Sequence, residues 1–132
     1  MAQAILTPVA RALREAGCRH FFVAHPGEGL ALRQALGAGP MIAVLDGCTP
    51  AEAAQGLTPV LNSLGDVAAH RGSGVRALLH VDTGMARLGL PPAEVEALAA
   101  DPTLLDGITL DFVMTHLVAA EEAAHPMNAA QA

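Results

Sequence analysis

The sequence predicts an α/β fold: about five parallel strands with intervening helices, forming a partial (β/α)8 TIM barrel that is not closed. Three features favour it. Continuous apolar runs, such as MIAVL and VRALLHV, are typical of parallel strands covered on both faces. Helical patterns separate these runs, as in successive βα units. The chain also opens on a helix, as expected for a barrel that is cut short. Periodicity alone leaves an open doubly wound sheet as the alternative.

The predicted elements alternate along the chain. Apolar side chains recur at helical spacing on one face of a first helix, which Gly17 ends: Ile5, Val9, Ala12, Leu13 and Ala16. Thr49, Pro50 and Glu52 form a capping box with proline at the first helical position. The predicted strands are 20–24, 41–45, 57–62, 75–81 and 108–115. The predicted helices are 26–36, one from 50, one capped by Ser63 through 70, one that opens at 91–94, and a last stretch from about 118 that Pro126 interrupts.

Composition excludes several classes of function. The net charge is −6, and all 7 basic residues are arginine, so the chain contains no lysine. An acidic chain with 3 Phe, no Tyr and no Trp has neither the positive surface nor the stacking side chains of a nucleic-acid binder. No apolar run approaches the ~20 residues that span a bilayer. Cys18 and Cys48 have no C-x-x-C spacing and indicate reduced, buried thiols of a cytoplasmic protein.

Two segments follow predicted strands and so lie where α/β folds place their sites. In DTGMARLG, Arg87 lies in a glycine-containing loop, and an arginine side chain is well suited to bind a carboxylate or another oxygen anion. A turn capped by Asp82 with a solvated Arg87 is an equally good interpretation. His116 follows the last strand and could be a base, a ligand or a cofactor contact. An ordinary histidine at a sheet edge remains the alternative.

A metal site is a third interpretation of these strand ends. It would combine His80, Asp82, Asp111 and His116, as in barrel hydrolases. The spacing contains neither H-x-H nor H-E-x-x-H, so the sequence supports this hypothesis only weakly and we assign no metal ligand. The remaining histidines are expected at the surface: His20, His25, His70 and His125.

The stretch HVDTGMARLGL resembles the D-T-G-M-x-R-x-G signature of alanine racemases. THL followed by AAE resembles the family's T-H-x-x-x-A-[ED] segment, and GCRHFFVAHPGEGLALRQAL resembles its G-A-x-x-F-x-V-A-x-x-x-E-G-x-x-L-R stretch. PMIAVLDG and LTPVLNS fall in the matching order. The resemblance covers nearly the whole chain from about Pro8, and it favours the barrel.

The resemblance implies a pyridoxal 5'-phosphate (PLP) enzyme that interconverts L-alanine and D-alanine. By position, Arg87 would contact the cofactor's phenolic oxygen and the substrate carboxylate, His116 would lie beside the pyridine ring, and Leu45 would line the pocket. In many family members a lysine, often carbamylated, stands where this sequence has His80.

The family's two bases are a lysine in a K-A-D-A-Y-G motif on the first barrel strand and a tyrosine of a C-terminal β domain. This chain contains neither residue type, and MAQAILT does not resemble that motif. We therefore expect residues 1–132 to be a fragment of the N-terminal barrel domain that is inactive alone, has no complete catalytic set and self-associates. The alternative is a non-enzymatic remnant or a module that binds PLP or a carboxylate; a metal-dependent hydrolase is the weaker alternative.

Overall fold

The computed structural model describes residues 2–132, with side chains described from Leu6 onward. Helices and strands alternate almost throughout. They are α1 (Ala2–Glu15), β1 (His20–Val23), α2 (Pro26–Leu36), β2 (Met41–Val44), α3 (Pro50–Ala53), β3 (Thr58–Leu61), α4 (Leu64–His70), β4 (Val75–His80), α5 (Pro92–Ala100), a 3-10 turn (Pro102–Leu105), β5 (Ile108–Met114) and α6 (Pro126–Gln131). Each predicted strand is present and is one or two residues shorter than predicted.

The strands are parallel and follow the chain in the order β1-β2-β3-β4-β5. The register pairs His20 with Met41 between β1 and β2, and Val75 with Ile108 between β4 and β5, where a bulge lies between Ala77 and Leu78. A sequential order has no switch point, so the doubly wound alternative is wrong. The five-stranded sheet is not closed, as the sequence predicted.

The chain divides into two compact units, the first extending to Val60 and the second from Leu61 to Ala132. Each has its own core of aliphatic side chains. The first core consists of Ala10, Phe21, Val23, Leu32, Leu36, Ile42, Val44 and Leu57. The second consists of Leu61, Val67, Ala77, Leu79, Leu90 and Leu98. Phe21 is the one aromatic side chain in these two sets, which agrees with the aromatic-poor composition.

Local sequence signals set several helix starts. The Thr49 side chain accepts from the Glu52 N–H at 3.3 Å, and the Glu52 carboxylate accepts from the Thr49 N–H at 2.8 Å, which confirms the capping box. Ser63 caps α4 by accepting from the Asp66 N–H at 3.1 Å. These bonds satisfy backbone donors that the first helical turn leaves without partners.

The prediction of which face of α1 is buried is wrong for the residues whose side chains the structure describes. The side chain of Ile5 lies outside the described residues; Val9 and Leu13 are 50% and 47% exposed. Ala10 is buried instead, and Arg14, one turn later, donates to the Leu36 carbonyl at the end of α2. Helix–helix packing against α2 therefore selects the Ala10–Arg14 face, because a small residue allows close approach and the guanidinium caps a helix end.

Three further predictions need correction. Pro126 does not interrupt a helix: the segment 118–125 consists of turns, and Pro126 begins α6, where a proline at the first position lacks only an N–H that would have had no partner. His70 is buried, at 1% exposure, because it lies on the core side of the last turn of α4. Cys18 and Cys48 are not joined in a disulfide and are half-buried rather than fully buried. Within residues 2–132, no helix is both long and apolar enough to cross a bilayer.

Candidate functional site

The loops that follow β4 and β5 lie side by side, because these two strands pair in parallel and end opposite each other, His80 against Met114. The loop after β4 closes on itself: the Leu90 N–H donates to the His80 carbonyl at 2.8 Å, and the Asp82 N–H donates to the Leu90 carbonyl at 3.0 Å. The polar residues of these two loops all belong to the second unit. The carboxyl ends of two adjacent strands thus hold both predicted segments.

Asp82 organises the DTGMAR loop. Its carboxylate accepts from the N–H groups of Gly84 and Ala86 at 2.9 and 3.0 Å. These backbone donors stabilise the charged form and hold the pKa of Asp82 below its ordinary value. Ala86 has a φ of 54°, a left-handed conformation that alanine seldom adopts, and the Asp82 contact holds it there. Ala86 immediately precedes Arg87, so its strained conformation sets the direction in which the Arg87 side chain leaves the loop.

Gly89 closes the same loop through a close approach that a side chain would prevent. Its φ is 104°, and a Cβ atom there would lie 2.8 Å from the Asp82 nitrogen and 3.2 Å from the His80 ring. A side chain does not fit at position 89, so this glycine of the motif has a steric cause.

Arg87 is exposed, and none of the described side chains, which begin at Leu6, forms a hydrogen bond or an ion pair with its guanidinium. Asp82 is a loop cap, as the structural interpretation of the motif expected. A fixed loop that presents an uncompensated guanidinium is also what the binding of an oxygen anion requires. The geometry is compatible with both interpretations of Arg87.

His116 belongs to a hydrogen-bonded chain of three side chains. The Asn62 Oδ1 and the His80 Nδ1 lie 2.8 Å apart, and the His80 Nε2 lies 3.1 Å from the His116 Nδ1. The two rings meet edge to face at 63°, with their centroids 5.0 Å apart. His80 is 3% exposed. Burial lowers the pKa of His80 below its ordinary value of 6.5, His116 and Arg87 lower it further, and Asp82 opposes them.

Gln131 of α6 joins the two loops. Its amide nitrogen donates to the Thr83 hydroxyl at 3.2 Å and to the His116 carbonyl at 3.0 Å, and its amide oxygen accepts from the Val118 N–H at 2.9 Å. The hydroxyls of Thr83 and Thr115 lie 2.8 Å apart and make a second link. Gln131 is buried, so these bonds replace water contacts that it has lost.

The structure does not bring the four residues of the metal-site hypothesis together in one cluster. Asp111 forms an ion pair with Arg76 in the middle of the β4–β5 pair, well before the strand ends. The Asp82 carboxylate accepts backbone N–H groups of its own loop. In the part of the chain that the structure describes, no group of three or more His, Cys, Asp and Glu residues could hold a metal ion.

Leu45 lies in the first unit, directly after β2. It is half-buried, and its N–H donates to the Val23 carbonyl at 2.8 Å, which continues the pairing of β2 with β1. It therefore also follows the carboxyl end of a strand, and its role in a pocket remains a prediction.

A family model for the alanine racemase N-terminal domain matches residues 3–132. The chain belongs to this family. The catabolic alanine racemase of Agrobacterium fabrum is 51% identical over 133 residues, and the alanine racemase of Acidiphilium cryptum is 52% identical over 132. The crystal structure of alanine racemase from Bartonella henselae with covalently bound pyridoxal phosphate is 34% identical, with a TM-score of 0.89.

These comparisons confirm the barrel assignment and set its extent. The aligned segments make up 93% of this chain but 34% and 37% of the two relatives. The Bartonella henselae structure covers 95% of this chain, which corresponds to 39% of that racemase. The chain thus spans little more than a third of the length of the alanine racemases it matches.

The residues present fit PLP in part. The Arg87 guanidinium can bind an oxygen anion such as a phenolate, and His116 offers a ring from the neighbouring loop. The covalent link does not fit, because the 132 residues contain no lysine amine. The sequence did not predict the Asn62–His80–His116 chain or the hydrogen bonds by which Gln131 joins the two loops (the Gln131 clamp). The position of Asn62 at the end of a predicted strand was the one hint of the first, and no signal indicated the second.

Replacing Gln131 by alanine should loosen both loops. The change removes three hydrogen bonds, each with a net contribution of about 0.5–1.5 kcal/mol, so we expect the free energy of unfolding to fall by about 2 kcal/mol. Amide exchange at Val118 should accelerate. Chemical denaturation and hydrogen-exchange mass spectrometry measure both effects. Gln55→Ala is the matched control, because Gln55 is exposed with one long bond of 3.4 Å; equal effects of the two variants would contradict the clamp.

The buried His80 should make stability depend on pH. Its pKa is lower in the folded chain than in the unfolded chain, so the unfolded state binds the proton more readily. The stabilisation is complete above pH 6.5 and is lost as the pH falls through the folded pKa. Denaturation curves at about pH 7.5 and about pH 5.5 should show a larger loss for the parent chain than for His80→Gln, whose side chain does not titrate. Identical losses would show that the His80 environment does not disfavour its charge.

Proposed function

We propose that the chain is part of a PLP-dependent alanine racemase, in which it supplies the arginine and histidine of the pocket that holds the cofactor and the amino acid. Membership of the alanine racemase family supports the reaction, and the unpaired Arg87 guanidinium in its ordered loop is the observation that carries the site. When bound, PLP supplies an electron sink that acidifies the Cα–H bond of an amino acid.

The proposed roles follow the chemistry of each side chain. Arg87 would bind the phenolic oxygen of the cofactor and the carboxylate of alanine, since a planar guanidinium can donate to two oxygen anions at once. His116 would lie beside the pyridine ring, and its contacts with His80 and Gln131 would support it there. The DTGMAR turn keeps Arg87 in place before the substrate arrives, which lowers the entropic cost of binding.

Residues 1–132 lack the means to complete the reaction by themselves. Racemisation removes a proton from one face of Cα and returns it on the other, so it needs a base on each face. The family's lysine and tyrosine have no counterpart, because the 132 residues contain no Lys and no Tyr. We propose that these residues act as one part of a longer barrel domain, in line with relatives about three times as long. Two cysteines that form no disulfide with each other support a reducing, cytoplasmic location.

A second candidate function is a module that binds PLP or a carboxylate without turnover. The same Arg87 supports it, and so does the absence of both bases. The two candidates differ in whether a second polypeptide segment that carries a lysine and a tyrosine restores racemisation.

The isolated chain should bind PLP reversibly and should not racemise alanine. After PLP addition and borohydride reduction, mass mapping should find no stoichiometric adduct apart from one at the α-amino group of residue 1. Formation of D-alanine from L-alanine should not exceed the rate with free PLP. An adduct at another position, or faster D-alanine formation, would overturn the proposal that this chain lacks the catalytic groups.

Titration of the chain with PLP also tests the Arg87 assignment. Arg87→Ala should weaken PLP binding by about tenfold or more, because hydrogen bonds to charged groups contribute about 1.5–3 kcal/mol. Arg71→Ala is the matched variant: Arg71 is also exposed, and its partner Asp106 lies 3.9 Å away. Equal PLP affinities of the parent chain and both variants would show that Arg87 does not bind PLP.

We further expect the isolated chain to self-associate. β1 and β5 stand at the two ends of the strand order, and they carry exposed apolar side chains: Phe22 at 50%, Phe112 at 48% and Val113 at 65%. Unpaired edges with apolar side chains favour pairing with a second copy. Sedimentation at about 50 μM should show oligomers, and Val113→Lys should reduce them, since a charged edge resists pairing. A monomeric parent chain would contradict this expectation.

A further inference from the structure

We propose that Asn62 and His80 are positioning residues that hold neutral His116 as its Nδ1–H tautomer. In this form His116 presents an unprotonated Nε2, a hydrogen-bond acceptor, to its surroundings. The inference concerns this chain's own side chains and their protons. Its meaning for the cofactor pocket rests on the proposed function, whereas the tautomer itself does not.

The direction of the hydrogen bonds carries the inference. The Asn62 Oδ1 is an acceptor only, so the His80 Nδ1 at 2.8 Å must carry the proton and donate. A neutral imidazole has one N–H, which leaves the His80 Nε2 as an acceptor. The His116 Nδ1 at 3.1 Å must then donate to it. The proton of neutral His116 therefore resides on Nδ1, and its Nε2 carries a lone pair.

The surroundings of His80 keep this polarity in place. His80 is 3% exposed, and the groups that act on its charge are His116, Asp82 and Arg87. Burial and the Arg87 charge both oppose a second proton on the ring, and such a proton would turn Nε2 into a donor and reverse the contact with His116. The Gln131 bond to the His116 carbonyl holds the backbone from which the ring projects.

The tautomer determines what His116 can recognise. An unprotonated Nε2 accepts from an ammonium, a protonated ring nitrogen or a hydroxyl, and it cannot donate to a carboxylate, phosphate or phenolate. Anionic groups are thereby left to Arg87. In the proposed pocket, the pair of side chains would divide the ligand between them, with His116 facing its proton donors and Arg87 its oxygen anions.

Nitrogen-15 NMR of the histidine rings in the full 132-residue chain, without PLP, tests the proposal. At alkaline pH, where the imidazoles are neutral, His80 and His116 should both show the Nδ1–H pattern. His125 is an internal reference of opposite type, because its Nδ1 accepts from the Met127 N–H at 3.2 Å and its proton must be on Nε2. An Nε2–H pattern for His116 would overturn the proposal.

Two variants separate positioning from a general structural effect. Asn62→Leu removes the acceptor and should shift His116 towards a mixture of tautomers. Asn62→Asp keeps an acceptor-only oxygen and should retain the Nδ1–H pattern at alkaline pH. If Asn62→Leu leaves the His116 spectrum unchanged, Asn62 does not set the tautomer. These spectra are recorded without cofactor. The tautomer prediction can therefore be wrong while PLP binds through Arg87, and PLP binding can fail while the tautomer prediction is correct.

Discussion

Parallel pairing of β4 with β5 is the constraint on which the rest of the site depends. The register places His80 opposite Met114 at the strand ends, so the residues that follow each strand meet within two or three positions. That arrangement makes the His80–His116 and Thr83–Thr115 contacts possible across 36 and 32 residues of sequence. Parallel strands require a crossover between them, and α5 with its following turn supplies it.

Around that edge, hydrogen bonds from side chains to the backbone support both loops. Asp82 fixes one loop through backbone N–H groups, and Gln131 fastens the second loop to the first. Arg87 is left exposed at the end of this support. A charged side chain on a fixed backbone can bind an anion with little further ordering, which is the general advantage of a preorganised site.

The lack of lysine changes how the family resemblance translates into chemistry. Binding residues and bases are separate requirements in racemisation, and the proposed function assigns Arg87 and His116 to the first. The hydrogen bonds of the His80 side chain are with Asn62 and His116.

The sequence by itself predicted the five strands, the capping of α3 and α4, and the placement of Arg87 and His116 directly after strands, whereas the family resemblance favoured the sequential strand order. Apolar runs, caps and glycine turns act over a few residues, so their outcome does not depend on distant parts of the chain. The tertiary structure alone decided which face of α1 is buried, that Pro126 begins α6, and that Asn62 and Gln131 belong to the site. The contacts of these two residues join positions 18 and 48 residues apart. Such pairs form only after the strands and α6 have packed, because no local pattern specifies a partner at that separation.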